Sequence, residues 1–513
     1  MTNTGICMSN SKETHGEFVP VLDADTEKLA STDALEVYRE DHAFFSNKWS
    51  TRLLKWGVEE RGITPVAEHE RTDTQFFKIF FIFLSANFNI LSFSAGTLGP
   101  VIFGLGLRDS CLVILFFNLL CSIPPAYLTT WGPQLGLRQM CQARYSFGYY
   151  GIIPICIFDL ASFCGFCILN FILGGQTLSS VSNGSLSWSV GIVVIAVVSL
   201  LISFCGYRVL NWYERLAWIP VLVVYVVALG VGGKHLINPP PAIPATANSI
   251  LTFASTIAGF VVTYSPISSD YTIYYHPKVS SWKLFWYAYL GLNVAIIPVQ
   301  CLGAAVAVSV TNVPEWNTGY ESDGVGGMIE AMLHPVGGFG KFLTVLLALS
   351  VVANVAPSLY SFGLGFQIFL PFTAKVPRYV FSLLAIAIML PLSIVGSHKF
   401  YDTLTNFLGI IGYWCSAFVG VIVTEHLRFR EGTFASYDLS CWNKPGQLPT
   451  GIAALGACSL SCGLLIPSID QVWFVGPIAK HTGDLGFEFA FLVTALFYIP
   501  LRALELRYFG KTR

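Results

Sequence analysis

SANFNILSFSAGTLGP, residues 85–100, interrupts an apolar run with asparagines, serines and glycines. A run of about 20 apolar residues has the length of a bilayer core. Within that core, irregular backbone survives only where it is buried in protein or lines a cavity. Two other stretches carry the same mark. TIAGFVVTYSPISSDYT (256–272) has Pro266 among hydroxyls, and LSVVANVAPSLYSFGLG (349–365) has Asn354 and Pro357. Proline removes a backbone donor and frees a carbonyl. The first two interruptions stand five spans apart at matching positions. Such a pair is the trace of two inverted repeats, with substrate bound at the break points. The plainer alternative is a set of kinked helices without a ligand, which the matching depth of the polar residues disfavours.

Working outward, 54% of the 513 residues are hydrophobic and 12% charged, against about 25% charged in soluble domains. The net charge of −1 argues against a nucleic-acid partner, which would select a basic surface. Lipid is the implied surroundings. Thirteen cysteines lie mostly in apolar runs, Cys111, Cys121, Cys156, Cys164 and Cys167 among them. They read as small buried residues rather than metal ligands or disulfides, so no metal site and no cofactor is expected.

The chain thus reads as an all-α membrane protein of about twelve transmembrane helices, drawn near 76–105, 110–131, 150–178, 188–206, 211–232, 250–273, 281–310, 340–368, 378–397, 400–425, 449–467 and 485–505. The organisation expected is a partly disordered cytosolic tail over 1–74, a ten-helix transport core over 75–425, two peripheral helices with their loop over 426–505, and a tail over 506–513. If the N-terminal tail is cytosolic, the inner loops, with Arg138, Arg144, Arg208, Arg215 and Arg428 among their charges, hold about eleven Lys and Arg against about five outside, which places both termini inside. Residues 311–339 read as a long acidic outer loop. Asn183-Gly184-Ser185 is a glycosylation sequon close to the membrane.

The third span holds the candidate chemistry in GFCILNFILGGQTL (165–178). Asn170 is an amide inside an apolar run, and Phe166 lies one turn earlier on the same face. A flat, neutral ring with alternating donors and acceptors needs an aromatic wall and a few placed amides. Phe166 and Asn170 supply both, and Asn can pair bidentately with a base edge. The alternative role for Asn170 is an interhelical hydrogen bond. Asp159 lies on the same stripe as Phe163, Phe166 and Asn170. An ionisable residue within a span is a functional candidate, here as a proton-coupling group, with pairing to Arg144 or a lysine as the alternative. Asp270 reads equally as a cap on the adjacent broken backbone or as an ion-coupling group.

GPQLGLRQMCQARYSFGYYG (132–151), the third-span stretch, SFSAGTLGP (92–100) and SSDYTIYYHP (268–277) closely resemble the fungal purine-cytosine permeases of the nucleobase-cation-symport-1 family, from about residue 60 to the C-terminus. The resemblance implies a leucine-transporter-like core of five plus five inverted-repeat helices with two C-terminal helices added. It implies proton-coupled uptake of cytosine and purines across the plasma membrane. It implies Phe166, Asn170, Tyr264, Ser265, Asn354 and Ser92 as substrate contacts, with the proton as coupling ion. Two residues depart from the family pattern: Tyr264 where Trp is usual and Val355 where a second Asn is usual. A shifted preference follows, since a buried polar site discriminates by the hydrogen bonds it makes or leaves unpaired. Carriers of vitamin B6, allantoin or a nucleoside, and a non-transporting receptor, remain alternatives. An enzyme ranks last, for want of a nucleophile with an evident base. The region LLALSVVA before Asn354 has only Ser350 as a hydroxyl, which disfavours sodium. Oligomeric state is not expressed in the sequence.

Overall fold

The computed structural model describes residues 62–182, 185–204, 212–241, 243–376 and 378–510. The first span is two half-helices, Lys78–Asn87 and Ile90–Val101, bent by 55°. The break follows from its own side chains. Asn89 adopts an extended backbone and its side chain accepts from Ser92 N at 2.9 Å, capping the second half-helix. Asn89 Nδ2 and Ser92 Oγ donate to the carbonyls of Ala86 and Asn87, which end the first half. Three of the freed backbone groups, Ala86 O, Asn87 O and Ser92 N, therefore find partners without water.

Leu107–Leu135, Ile152–Val181, Trp188–Phe204 and Trp212–His235 follow, then Ala247–Tyr271, whose α-helix stops at Val262 and resumes as a 3-10 turn over Ser265–Tyr271. Ser281–Asn312 and Gly338–Phe369 come next. The latter pauses at Ser350–Val351, one turn before Asn354, while Pro357 is accommodated inside the helix. Two helices, Arg378–Gly396 and Phe400–Thr424, complete the core. The shorter Ile452–Ser468 and the long Gly486–Phe509 are the last pair. These segments occupy the twelve places drawn from the sequence. Apolar side chains of the fourth and fifth, such as Val197, Leu201, Leu222 and Val226, face outward, as a lipid-facing surface must.

Glycines set the closest approaches. A Cβ on Gly96 would lie 1.9 Å from the Gln300 carbonyl oxygen, and one on Gly303 2.0 Å from that of Phe93. The first and seventh spans therefore meet backbone to backbone, the small-residue mode of membrane packing. The last helix packs on the tenth and eleventh. Glu425, nearly fully buried, accepts from Arg502 Nε at 3.1 Å and Tyr498 OH at 2.9 Å, and Arg502 Nη1 reaches Glu505 at 2.7 Å.

Several expectations need correction. Residues 311–339 are not a loop but hold a helix, Pro314–Leu333, kinked at Asp323 and Gly324. Its acidic residues hid an apolar face formed by Trp316, Val325, Met328, Ile329 and Met332. The 132–149 connection is likewise helical, over Trp131–Leu135 and Gln139–Phe147. Arg138 and Arg144, read as loop charges, are only 1% exposed, because their guanidinium donors tie this connection to other elements. Residues 62–74 are docked rather than a loose tail: Val66 N bonds Gly136 O, and Arg71 Nη1 donates to Pro133 O at 2.7 Å. The tail over 1–61, the sequon residue Asn183, Arg208 and residues 511–513 lie outside the described residues.

Gly303→Ala is expected to lower the thermal unfolding midpoint of the detergent-purified protein, by an overpacking cost of about 1–3 kcal/mol. An unchanged midpoint would show that the two backbones can part freely.

Candidate functional site

The third span, the break of the sixth and the eighth line a cavity of about 380 Å³, open solvent included. Asp159, Ser162, Phe163 and Phe166 come from the third span, Thr263, Tyr264 and Ile267 from the break of the sixth, and Asn354 and Ser358 from the eighth. The i, i+3, i+4 spacing of the third-span residues places them on one helix face. Phe166 is held edge-on by Phe407 and Phe260, with ring centroids 5.2 and 6.2 Å away. Tyr264 meets Phe83 edge-on at 5.5 Å. Three aromatic rings from two spans, Phe163, Phe166 and Tyr264, thus reach the cavity.

A chain of side-chain amides stands behind them. Asn170 Nδ2 donates to Asn354 Oδ1 at 2.9 Å and to the Phe166 carbonyl at 2.8 Å. Asn354 Nδ2 donates to the Ala86 carbonyl at 2.9 Å and to Tyr264 OH at 3.3 Å. Tyr264 OH donates to Asn87 Oδ1 at 3.0 Å. Third, eighth, sixth and first spans are therefore linked in that order by hydrogen bonds. The Asn170 Oδ1 acceptor is buried without a partner.

The expected residues divide accordingly. Phe166, Tyr264, Asn354 and Asp159 line the cavity. Asn170 is fully buried behind it and makes the interhelical bond that was the alternative to a direct contact. Ser265 is fully buried, its hydroxyl unpartnered, and outside the lining. Ser92 is also outside it, because its hydroxyl serves the helix break. Val355 is buried away from the cavity as well, so its lost amide does not strip a group from the wall.

Asp159 is 4% exposed, and Arg144 does not pair with it. Arg144 instead donates to Asn443 Oδ1 at 2.9 Å and lies over the Tyr149 ring. Among the described residues no hydrogen bond or ion pair reaches the Asp159 carboxyl. Asp270 caps a helix other than its own: Oδ1 accepts from Gln139 N at 2.8 Å, at the start of Gln139–Phe147. Asn87, Thr263 and Ser358 were missed. For Asn87 the signal was the asparagine density of SANFN, and for Ser358 its i+4 relation to Asn354.

A cavity at the break points of discontinuous helices is the binding arrangement of secondary transporters. Comparison with known proteins agrees. Residues 65–486 match the family described as "Permease for cytosine/purines, uracil, thiamine, allantoin". The purine-cytosine permease fcyB of Emericella nidulans is 36% identical, over 88% of this chain and 90% of that one. The purine-cytosine permease FCY2 of Saccharomyces cerevisiae is 32% identical, over 96% and 97%. The vitamin B6 transporter TPN1 of the same yeast is more distant, at 27% over 90% of each. Among solved structures, the closed, bromovinylhydantoin-bound form of Mhp1, a nucleobase-cation-symport-1 family transporter, superposes with a TM-score of 0.68 at 16% identity, over 88% of this chain and 96% of that one. The fold is the leucine-transporter-like one, and the chain belongs to the cytosine/purine permease family: it is a multi-pass membrane transporter, not an enzyme.

Tyr264→Phe removes one hydroxyl and leaves Asn87 Oδ1 without its donor. A buried acceptor left unsatisfied costs about 1–3 kcal/mol, so the variant should melt earlier than the parent. Equal melting curves would mean that the hydroxyl does not brace the first span.

Proposed function

We propose that this permease imports purine bases and cytosine by proton symport through alternating access, in the plasma membrane with both termini cytosolic. The observation that carries the reading is the cavity itself: two aromatic rings, Phe166 and Tyr264, beside the Asn354 amide at the helix breaks. A flat ring stacks on the aromatics while its edge finds the amides.

The Asn170–Asn354 bond gives the ligand a way to act. A base edge offering an acceptor can compete for the N–H of Asn354, which lines the cavity, and Asn170, behind it, re-pairs through its free Oδ1. Binding then exchanges one amide pairing for another, so the polar groups are not left unpaired. Ser265 and Ser92 act on this wall through the helix breaks rather than by contact.

Asp159 is the proposed coupling group at the cavity: a carboxyl without a counter-ion can take and give a proton as access alternates. Sodium is less well served. The Ser350 hydroxyl donates to the Leu347 carbonyl at 2.6 Å and accepts from Ile90 N at 3.2 Å, so it is already engaged on both sides. A second reading, a vitamin B6 carrier, draws on the TPN1 similarity and on Tyr264 in place of the usual Trp.

Labelled cytosine and adenine uptake in a fungal strain lacking its own nucleobase carriers decides between them. The expected result is saturable uptake, stronger in acid and abolished by a protonophore. Absence of uptake by protein confirmed at the cell surface would overturn the nucleobase reading and make pyridoxine the next ligand. Asn170→Ala should abolish high-affinity uptake while surface delivery persists. Asp159→Asn should remove the pH dependence of accumulation, and an unaltered profile would exclude Asp159 from coupling.

A further inference from the structure

Glu214 stands in the first turn of the fifth span, Trp212–His235, and is 1% exposed. Both of its carboxyl oxygens are buried without a hydrogen-bond partner. Its backbone carbonyl accepts from Ser85 Oγ of the first half-helix, so the fifth span is seated on that half-helix. The groups that face it are uncharged or engaged. Tyr264 and Tyr271 of the sixth span lie within its electrostatic reach, and Tyr213 precedes it. The Tyr264 hydroxyl is held by Asn87. Arg215 turns away, donating to Gln75 Oε1 at 3.1 Å over the Phe77 ring, and Lys78 pairs with Asp73. Asp270, farther along the sixth span, caps Gln139.

An ionised carboxylate enclosed in this way, with neither cation nor donor among the described residues, is not sustainable in a low-dielectric interior. In the described conformation it must carry a proton. From this burial and lack of partners, we infer that Glu214 is a second proton-binding site of the transport cycle. It holds its proton while the fifth span is closed on the half-helix Lys78–Asn87. It releases that proton to water when the two separate: the carboxyl O–H bond breaks, water takes the proton, and the hydrated carboxylate is left. Tyr264 lines the cavity with Asp159, and its hydroxyl bonds Asn87 of the same half-helix on which Glu214 is seated.

The role in the cycle rests on the proton-symport reading, but the protonation does not, so two measurements separate them. Infrared spectra of the purified, substrate-free protein at neutral pH should contain a protonated-carboxyl band that Asp159→Asn retains and Glu214→Gln loses. Identical spectra for parent and Glu214→Gln would overturn the site. In proteoliposomes, added cytosine should acidify the lumen for the parent. Glu214→Gln should keep labelled cytosine exchange and lose the acidification. Parent-like acidification by Glu214→Gln would overturn its place in the cycle. Should exchange also be lost, Glu214→Asp restores both if the carboxyl is what matters, and its failure to do so overturns the role. A parent that moves no cytosine refutes the nucleobase reading, while the infrared result still decides whether Glu214 binds a proton.

Discussion

The break in the first span is the constraint on which the rest of the structure depends. Ending a helix inside an apolar bundle exposes carbonyls and amides that no lipid can satisfy. Asn89 and Ser92 answer this with three hydrogen bonds made within the break, and Ser350 of the eighth span supplies a fourth to Ile90 N. The last of these joins the break to the neighbouring repeat. The Ala86 carbonyl is shared further, accepting from Asn354 as well as Asn89. The broken backbone is therefore the acceptor that orients the amide wall of the cavity.

That wall is a connected unit rather than a set of separate contacts. Asn170, Asn354, Tyr264 and Asn87 each hold the next, across four spans. Removing one member shifts the geometry of the others, because buried polar networks respond as units. Tyr264 has a double part in it: its ring faces the cavity, and its hydroxyl braces the first span. A tryptophan in that place would offer a larger ring and a donor only, whereas the tyrosine hydroxyl links two helix breaks.

Buried charge is handled in two ways. Arg138, Arg144, Glu425 and Arg502 are buried but paired or hydrogen-bonded, and they fasten the connecting helices and the last helix to the core. Asp159 and Glu214 are buried without such partners among the described residues. The contrast separates charges that hold the fold from carboxyls available for proton chemistry.

The twelve apolar runs, the broken first and sixth spans and the third-span stripe of Asp159, Phe163 and Phe166 were legible in the sequence. Bilayer thickness sets the length of a span and helix geometry sets its face, and both act locally. The helices at 314–333 and 132–147 were not, because their polar residues mask faces that become apolar only against other elements. Nor was the difference between Ser92, turned to a neighbouring carbonyl, and Tyr264, turned to the cavity: both are polar residues at a break. The exchange of Asn170 from solitary amide to partner of Asn354 joins positions 184 residues apart, and Glu214 meets Ser85 across 129. The sequence by itself determined where the chain crosses the membrane and where it must break. Which polar groups satisfy one another, and which are left over for a ligand or a proton, was decided by tertiary structure, since a hydrogen bond depends on ångström-scale distances between residues remote in the chain.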